Sequence, residues 1–187
     1  MILPITLYGN PVLRKTVEEV DFPAPDTDLK SLVSDMFDTM YNANGVGLAA
    51  PQVNRPIAVF VIDTEAFLDE DDTEQPVKKA FVNPEITASV GESIRFSEGC
   101  LSVPGISEEV SRPEGVRIRY QDTDGNTFEE EYHGKAARVI QHEYDHLFGK
   151  VFVDRLSPLK KTLLKSKLNE IVTGKKVPAY RVKPNKK

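Results

Sequence analysis

The segment GKAARVIQHEYDHLFG, residues 134–149, constrains this chain more than any other stretch. A helix is predicted from Gly134 to Gly149, and it is committed on two sides. Ala136, Ile140, Tyr144 and Leu147 fall on one apolar face. His142 and His146 lie four residues apart, one turn above the other, on a second face bordered by Val139. A helix occupied on both sides has to be buried, so the rest of the fold must be built around it. Two buried imidazoles are costly unless each ring nitrogen finds a partner. A metal ion supplies one partner per ring. Glu143, between the histidines, completes an HExxH pattern, in which a carboxylate works on water beside a metal.

The remaining chain is consistent with one domain. It has 187 residues, of which 40% are apolar, enough for one core and too few for two. The longest aliphatic and aromatic run, IAVFVI at 57–62, is far too short to span a bilayer. The N-terminus MILPITLYGNPVLR lacks a basic segment followed by an apolar core, so it does not read as a signal peptide. With a single cysteine there is no internal disulfide framework, and a reducing cytoplasm is the expected compartment.

The coarse pattern is a helix over about 27–42, capped by Asp26 or Thr27 and stopped at NANG. The loop GVGLAAPQ follows at 45–52. Strands are expected at 57–62, 80–83, 86–90, 92–97, 115–122 and 127–133, the last two joined by a DTDG hairpin turn. FLDEDDTEQP, 67–76, reads as an exposed loop without special function. After the motif helix, Ser157-Pro158 opens a C-terminal helix. This predicts an α+β fold: antiparallel sheets packed around the central HExxH helix, with an N-terminal and a C-terminal helix. The domain is drawn as 1–173, with 174–187 a basic flexible tail. Residues 158–187 hold ten Lys and Arg against one acid, whereas residues 1–157 carry a balance of −14. Such a segment is either a solvated tail or a contact for RNA.

Two histidines need a third ligand. The acids after the motif are Asp154 and Glu170, and Glu170 lies in a lysine-rich helix. His133 reads as a solvent-exposed residue at a strand end. The other route is Cys100, in SEGCLSVPG, placed after a strand and before a Ser-Val-Pro-Gly turn. A lone cysteine is most often a small apolar residue, but this setting suits the aiming of a thiolate. Cys with two His would leave a coordination position open, as catalytic sites require.

At this point the chain resembles the peptide deformylases. Their three motifs stand here in order: GVGLAAPQ at 45–52, EGCLS at 98–102 and QHEYDHLFG at 141–149. The resemblance covers roughly residues 1–172. It implies a Cys100/His142/His146 site holding one divalent ion, Fe2+ in the cell, with Ni2+, Co2+ or Zn2+ as substitutes. It implies removal of the N-formyl group from nascent chains that begin with formylmethionine. Glu143 would shuttle the proton. The side-chain amide of Gln52 and the backbone N–H of Leu101 would meet the oxyanion. Gly45 and Gly47 would let backbone approach and pair with the peptide, and Val46 and Val139 would line the methionine pocket. Glu98 would pair with Arg112 or another arginine, or be a plain surface charge. Asp145 would point to solvent or a local hydrogen bond. A reaction on nascent chains gives the basic C-terminal segment a reason to meet the ribosome. Two rivals remain: a metallo-endopeptidase, which needs a cleft on both sides of the scissile bond, and an RNA-binding module with a closed structural metal site, for which no fourth ligand is evident.

Overall fold

In the computed structural model, residues 1–22 and 26–183 are described. The elements in chain order are β1 (Ile5–Thr6), α1 (Asp26–Asn42), β2 (Gly47–Ala49), β3 (Val59–Asp63), β4 (Lys78–Cys100), β5 (Val103–Gln121), β6 (Thr127–His133), α2 (Gly134–Leu147), α3 (Pro158–Val172) and β7 (Val182–Lys183). Strands β2 to β6 form one antiparallel sheet in sequence order, and β1 pairs with β7 in a separate parallel pair. The predicted mixed architecture is therefore present, with a two-stranded parallel pair that the sequence did not announce. The capping side chains proposed at Asp26 and Thr27 lie outside what is described.

Strand β3 explains why the run VFVI, residues 59–62, is apolar throughout. Val59 and Val61 pack with Leu29, Val33, Met36 and Met40 of α1. Phe60 and Ile62 point the other way, into a cluster with Ala137, Val139, Ile140 and Leu147 of α2. A strand covered on both faces has no polar alternation to keep. Helix α2 is thus buried against the sheet, as its two-sided pattern required.

Three expected strands, 80–83, 86–90 and 92–97, are one continuous strand, β4. The cause is visible at Pro84 and Gly91, which read as breaks. The ladder to β5 passes them by register shifts between Val82 and Glu85 and between Val90 and Ser93. Gly91 takes φ +72° there, a conformation that favours glycine. Residues 103–114 are also strand, so the turn after the cysteine is Leu101-Ser102, and Val103 to Gly105 already belong to β5.

The acidic loop is not idle. The Glu74 carboxylate accepts from the Lys135 N–H at 3.2 and 3.0 Å, capping the first turn of α2. Asp69 and Asp72 hold the Lys135 ammonium at 2.8 and 2.7 Å. A domain ending at 173 omits working structure. Ile5 N–H donates to Arg181 O at 2.9 Å, and β7 pairs with β1, so residues 174–183 return to the body of the fold and are not a loose tail. No described helix is long and apolar enough to cross a membrane.

Candidate metal centre and cleft

Helix α2 places its histidines as the spacing requires. The rings of His142 and His146 lie 5.3 Å apart, centroid to centroid. Cys100, at the end of β4, arrives from the sheet side, with its Sγ 3.4 Å from His146 Nε2. The donor atoms of Cys100, His142 and His146 all lie within 4.8 Å of one another. The alternatives for a third ligand do not reach them. Asp154 pairs with Arg14, His133 is exposed beside Glu131, and Glu170 is an exposed residue of α3.

Partners behind the site fix the ligand orientations. His142 Nδ1 is 2.9 Å from Glu98 Oε2, which turns Nε2 toward Cys100 and His146. Arg112 grips the same carboxylate with two bonds, Nε to Oε1 at 2.6 Å and Nη2 to Oε2 at 2.8 Å. Its Nη1 donates to Asp145 Oδ2 at 2.7 Å, and Arg138 adds a bond to Glu98 Oε1 at 3.0 Å. Arg155 closes the chain with a two-bond grip on Asp145. Burial opposes the charge on Glu98, yet the bonds from Arg112 and His142 hold it well below the usual carboxylate range. Asp145 is therefore a buried ion-pair partner and does not face solvent, and Glu98 is no surface charge.

The chemistry of the donor set fits a cation. Burial, followed by the neighbouring His142, pushes His146 down to about 3, so its imidazole is neutral and free to ligate. Burial also opposes charge on His142, but Cys100 and Glu98 hold it well above the ordinary histidine value. A field that favours a proton there favours a metal cation in its place. Among the described residues only three buried side-chain polar atoms lack a partner, and two are Glu143 Oε2 and His146 Nδ1. Buried polar atoms are seldom left unpaired outside functional sites. Burial pushes Glu143 up to about 7, a value suited to taking and returning a proton near neutrality.

These groups open on a cavity of about 550 Å³. Gly45, Val46, Gly47, Gln52, Cys100, Leu101, Val139, His142 and Glu143 all border it; His146 lies behind, buried. The Gln52 amide is oriented by its neighbours. Its oxygen accepts from Ala49 N–H at 2.8 Å, and its nitrogen donates to Ser102 Oγ at 3.1 Å while lying 3.5 Å from Cys100 Sγ. Leu101 N–H has no hydrogen-bond acceptor among the described residues. Strand β2 is the edge of the sheet, paired on one side to β3 and, among the described residues, with no strand on the other. Gly47 lies directly against Glu143. A Cβ on it would sit 2.4 Å from Glu143 Oε1, so glycine makes room for that carboxylate.

The sequence did not disclose the arginine lattice or the lining by Lys176, Val177, Pro178 and Tyr180. The expected pairing of Glu98 with Arg112 is present, but the further bonds from Arg112 to Asp145, from Arg138 to Glu98 and from Arg155 to Asp145 had no local mark. Tyr180 lies in a basic, proline-containing stretch that looks like tail.

Known proteins resemble this chain closely. Residues 2–162 match the family model for polypeptide deformylase. A peptide deformylase of Cytophaga hutchinsonii is 50% identical over 183 residues, covering 98% of this chain and 97% of its own. One from Christiangramia forsetii is 48% identical, covering 100% of this chain and 98% of its own. The crystal structure of a peptide deformylase from Legionella pneumophila superposes with a TM-score of 0.81 at 41% identity, covering 95% of this chain and 100% of that one.

Proposed function

This chain belongs to the polypeptide deformylase family, and on that premise we propose how its own residues divide the work. The reaction is the metal-dependent hydrolysis of the N-formyl group from nascent polypeptides, which releases formate and a free amine. Cys100, His142 and His146 would hold the cation. The observation that carries this reading is the convergence of those three donors beside the unpartnered carboxylate oxygen of Glu143.

The cation, when bound, polarises the formyl oxygen and brings the pKa of a water from about 16 to about 7. Glu143 takes the proton released as the nucleophile forms and returns it to the departing nitrogen. As the formyl carbon becomes tetrahedral, its oxygen gathers charge. Leu101 N–H and the Gln52 amide stand at the cavity to receive it, each donor typically contributing about 3 kcal/mol. The segment Gly45 to Gly47, which leads into the edge strand β2, pairs with the peptide backbone. Val46 and Val139 line the methionine pocket, where an unbranched thioether fits an apolar space.

The physiological ion is Fe2+, with Zn2+, Ni2+ and Co2+ as substitutes, in keeping with one thiolate and two imidazoles as donors. The enzyme acts in the cytoplasm, where nascent chains emerge. It also meets the ribosome through α3, whose Lys161, Lys165 and Lys167 are exposed alongside Leu159 and Leu163, themselves 69% and 70% accessible. Reversing those three lysines should abolish salt-sensitive co-sedimentation with ribosomes; undiminished co-sedimentation refutes the contact.

Two variants test the site. Cys100→Ala should lose stoichiometric metal and formate release together, and full metal occupancy would remove Cys100 from the site. Glu143→Gln should keep the metal and lose most formate release. An active Glu143→Gln enzyme would sink this mechanism.

A further inference from the structure

The turn that carries Leu101 is held by both ends of the chain. Ser102 O accepts from Tyr8 N–H at 2.8 Å, just after β1. Leu101 O accepts from the Tyr180 hydroxyl at 2.5 Å, just before β7. Two consecutive carbonyls of a two-residue turn are thus fixed by residues flanking the two strands that pair with each other. The Gln52 amide holds the same turn from a third side through Ser102 Oγ.

Tyr180 is itself well anchored. On its C-terminal side, Arg181 O accepts from Ile5 N–H at 2.9 Å and Arg181 Nη1 donates to Ile2 O at 2.9 Å. On the N-terminal side, Lys175 and Lys176 N–H both donate to Glu170 O, at 2.8 and 3.0 Å, tying the segment to the end of α3. The ring packs on the α1 core cluster, and burial raises the phenol pKa well above its ordinary value. The segment from Lys176 to Tyr180 forms one wall of the same cavity that Glu143 and Cys100 border.

We propose that Tyr180 is a positioning residue for the deformylation step, holding the Leu101 carbonyl so that the Leu101 N–H stays aimed at the reacting formyl oxygen. The inference rests on the reading of Leu101 N–H as an oxyanion donor. That N–H has no acceptor of its own among the described residues, so no hydrogen bond at the nitrogen fixes its direction. Its direction is set by the peptide plane it shares with the Cys100 carbonyl, hence by ψ of Cys100 and φ of Leu101. The Tyr180 bond fixes the next plane, at the Leu101 carbonyl, so Leu101 cannot rotate between the two planes without breaking it. An oxyanion donor acts by being pre-aimed, so a loosened turn should slow the chemical step more than it weakens substrate binding. The catalytic unit then extends to at least residue 183.

The test uses the full-length, metal-loaded enzyme. Tyr180→Phe keeps the ring and removes only the hydroxyl. Its kcat on a formyl-Met peptide should fall about tenfold, short of the 10²–10³ typical for loss of a donor outright. KM and metal content should stay within about twofold. Hydrogen exchange of the peptide spanning Cys100 to Val103 should accelerate, while peptides from α2 keep their protection, which separates local loosening from general destabilisation. A second variant replaces the Leu101 N–H by an ester oxygen through incorporation of the corresponding hydroxy acid. An ester enzyme of unchanged kcat overturns the donor reading and this proposal with it. A slow ester enzyme beside a Tyr180→Phe enzyme of unchanged kcat overturns the role of Tyr180 alone.

Discussion

Replacing Gly47 by alanine is expected to disable the enzyme through Glu143 while leaving the fold and the metal ligands in place. The added Cβ would stand 2.4 Å from Glu143 Oε1, 2.8 Å from Cγ and 2.9 Å from Cδ. Ordinary contacts between such atoms are about 3.5 Å, so the carboxylate must withdraw by about 1 Å. The backbone supplies no second penalty, because Gly47 is not among the residues with positive φ. Nor can the helix yield easily, since Glu98, Arg112, Asp145 and Arg155 tie α2 to the sheet and to the segment before α3. Overpacking of this kind typically costs about 1–3 kcal/mol of stability. A 1 Å displacement of a reacting group typically costs about 10² in rate. The assay is formate release from formyl-Met-Ala, with metal stoichiometry and thermal denaturation measured on the same preparations. Gly47→Ala should retain one metal per chain and lose about 10² in kcat. The double variant with Glu143→Gln should be no slower than Glu143→Gln alone, because both act on one group. A Gly47→Ala enzyme with parental kcat, or a double variant slowed by the full product of the single effects, refutes the reasoning.

Two further outcomes follow from the buried lattice and the thiolate. Arg112→Met should destabilise the fold by about 3 kcal/mol, the low end for a broken buried pair, because Glu98 keeps Arg138 and Asp145 keeps Arg155. It should also weaken zinc binding by about 10- to 100-fold as Glu98 loosens behind His142, and urea denaturation with metal titration checks both. Peroxide should inactivate the Fe2+ form faster than the Zn2+ form by oxidising Cys100, which borders the open cavity, and mass spectrometry should find the added oxygen on that residue. Equal inactivation rates for the two forms would count against this.

The sequence by itself determined the motif helix and the chemistry it carries. Spacings of three and four residues act within one helix, so the shared face of His142 and His146 and the buried face of Ala136, Ile140 and Leu147 needed no tertiary knowledge. The three motifs in order pointed to the family and drew Cys100, Gln52 and Leu101 into one account, although they stand some 40 to 90 residues from the helix's histidines. Only the tertiary structure decided what lies behind and beside that site. Pro84 and Gly91 look like strand ends in one dimension, but a neighbouring strand can carry the ladder across them by shifting register. Arg112, Asp145 and Arg155 show no local pattern, because an ion pair between elements depends on where two surfaces meet and not on spacing along either. The C-terminal segment misled for the same reason. Its lysines and prolines describe how it behaves alone, whereas its place is set by backbone hydrogen bonds to β1, which no side-chain pattern encodes, and by one hydroxyl on the carbonyl of Leu101.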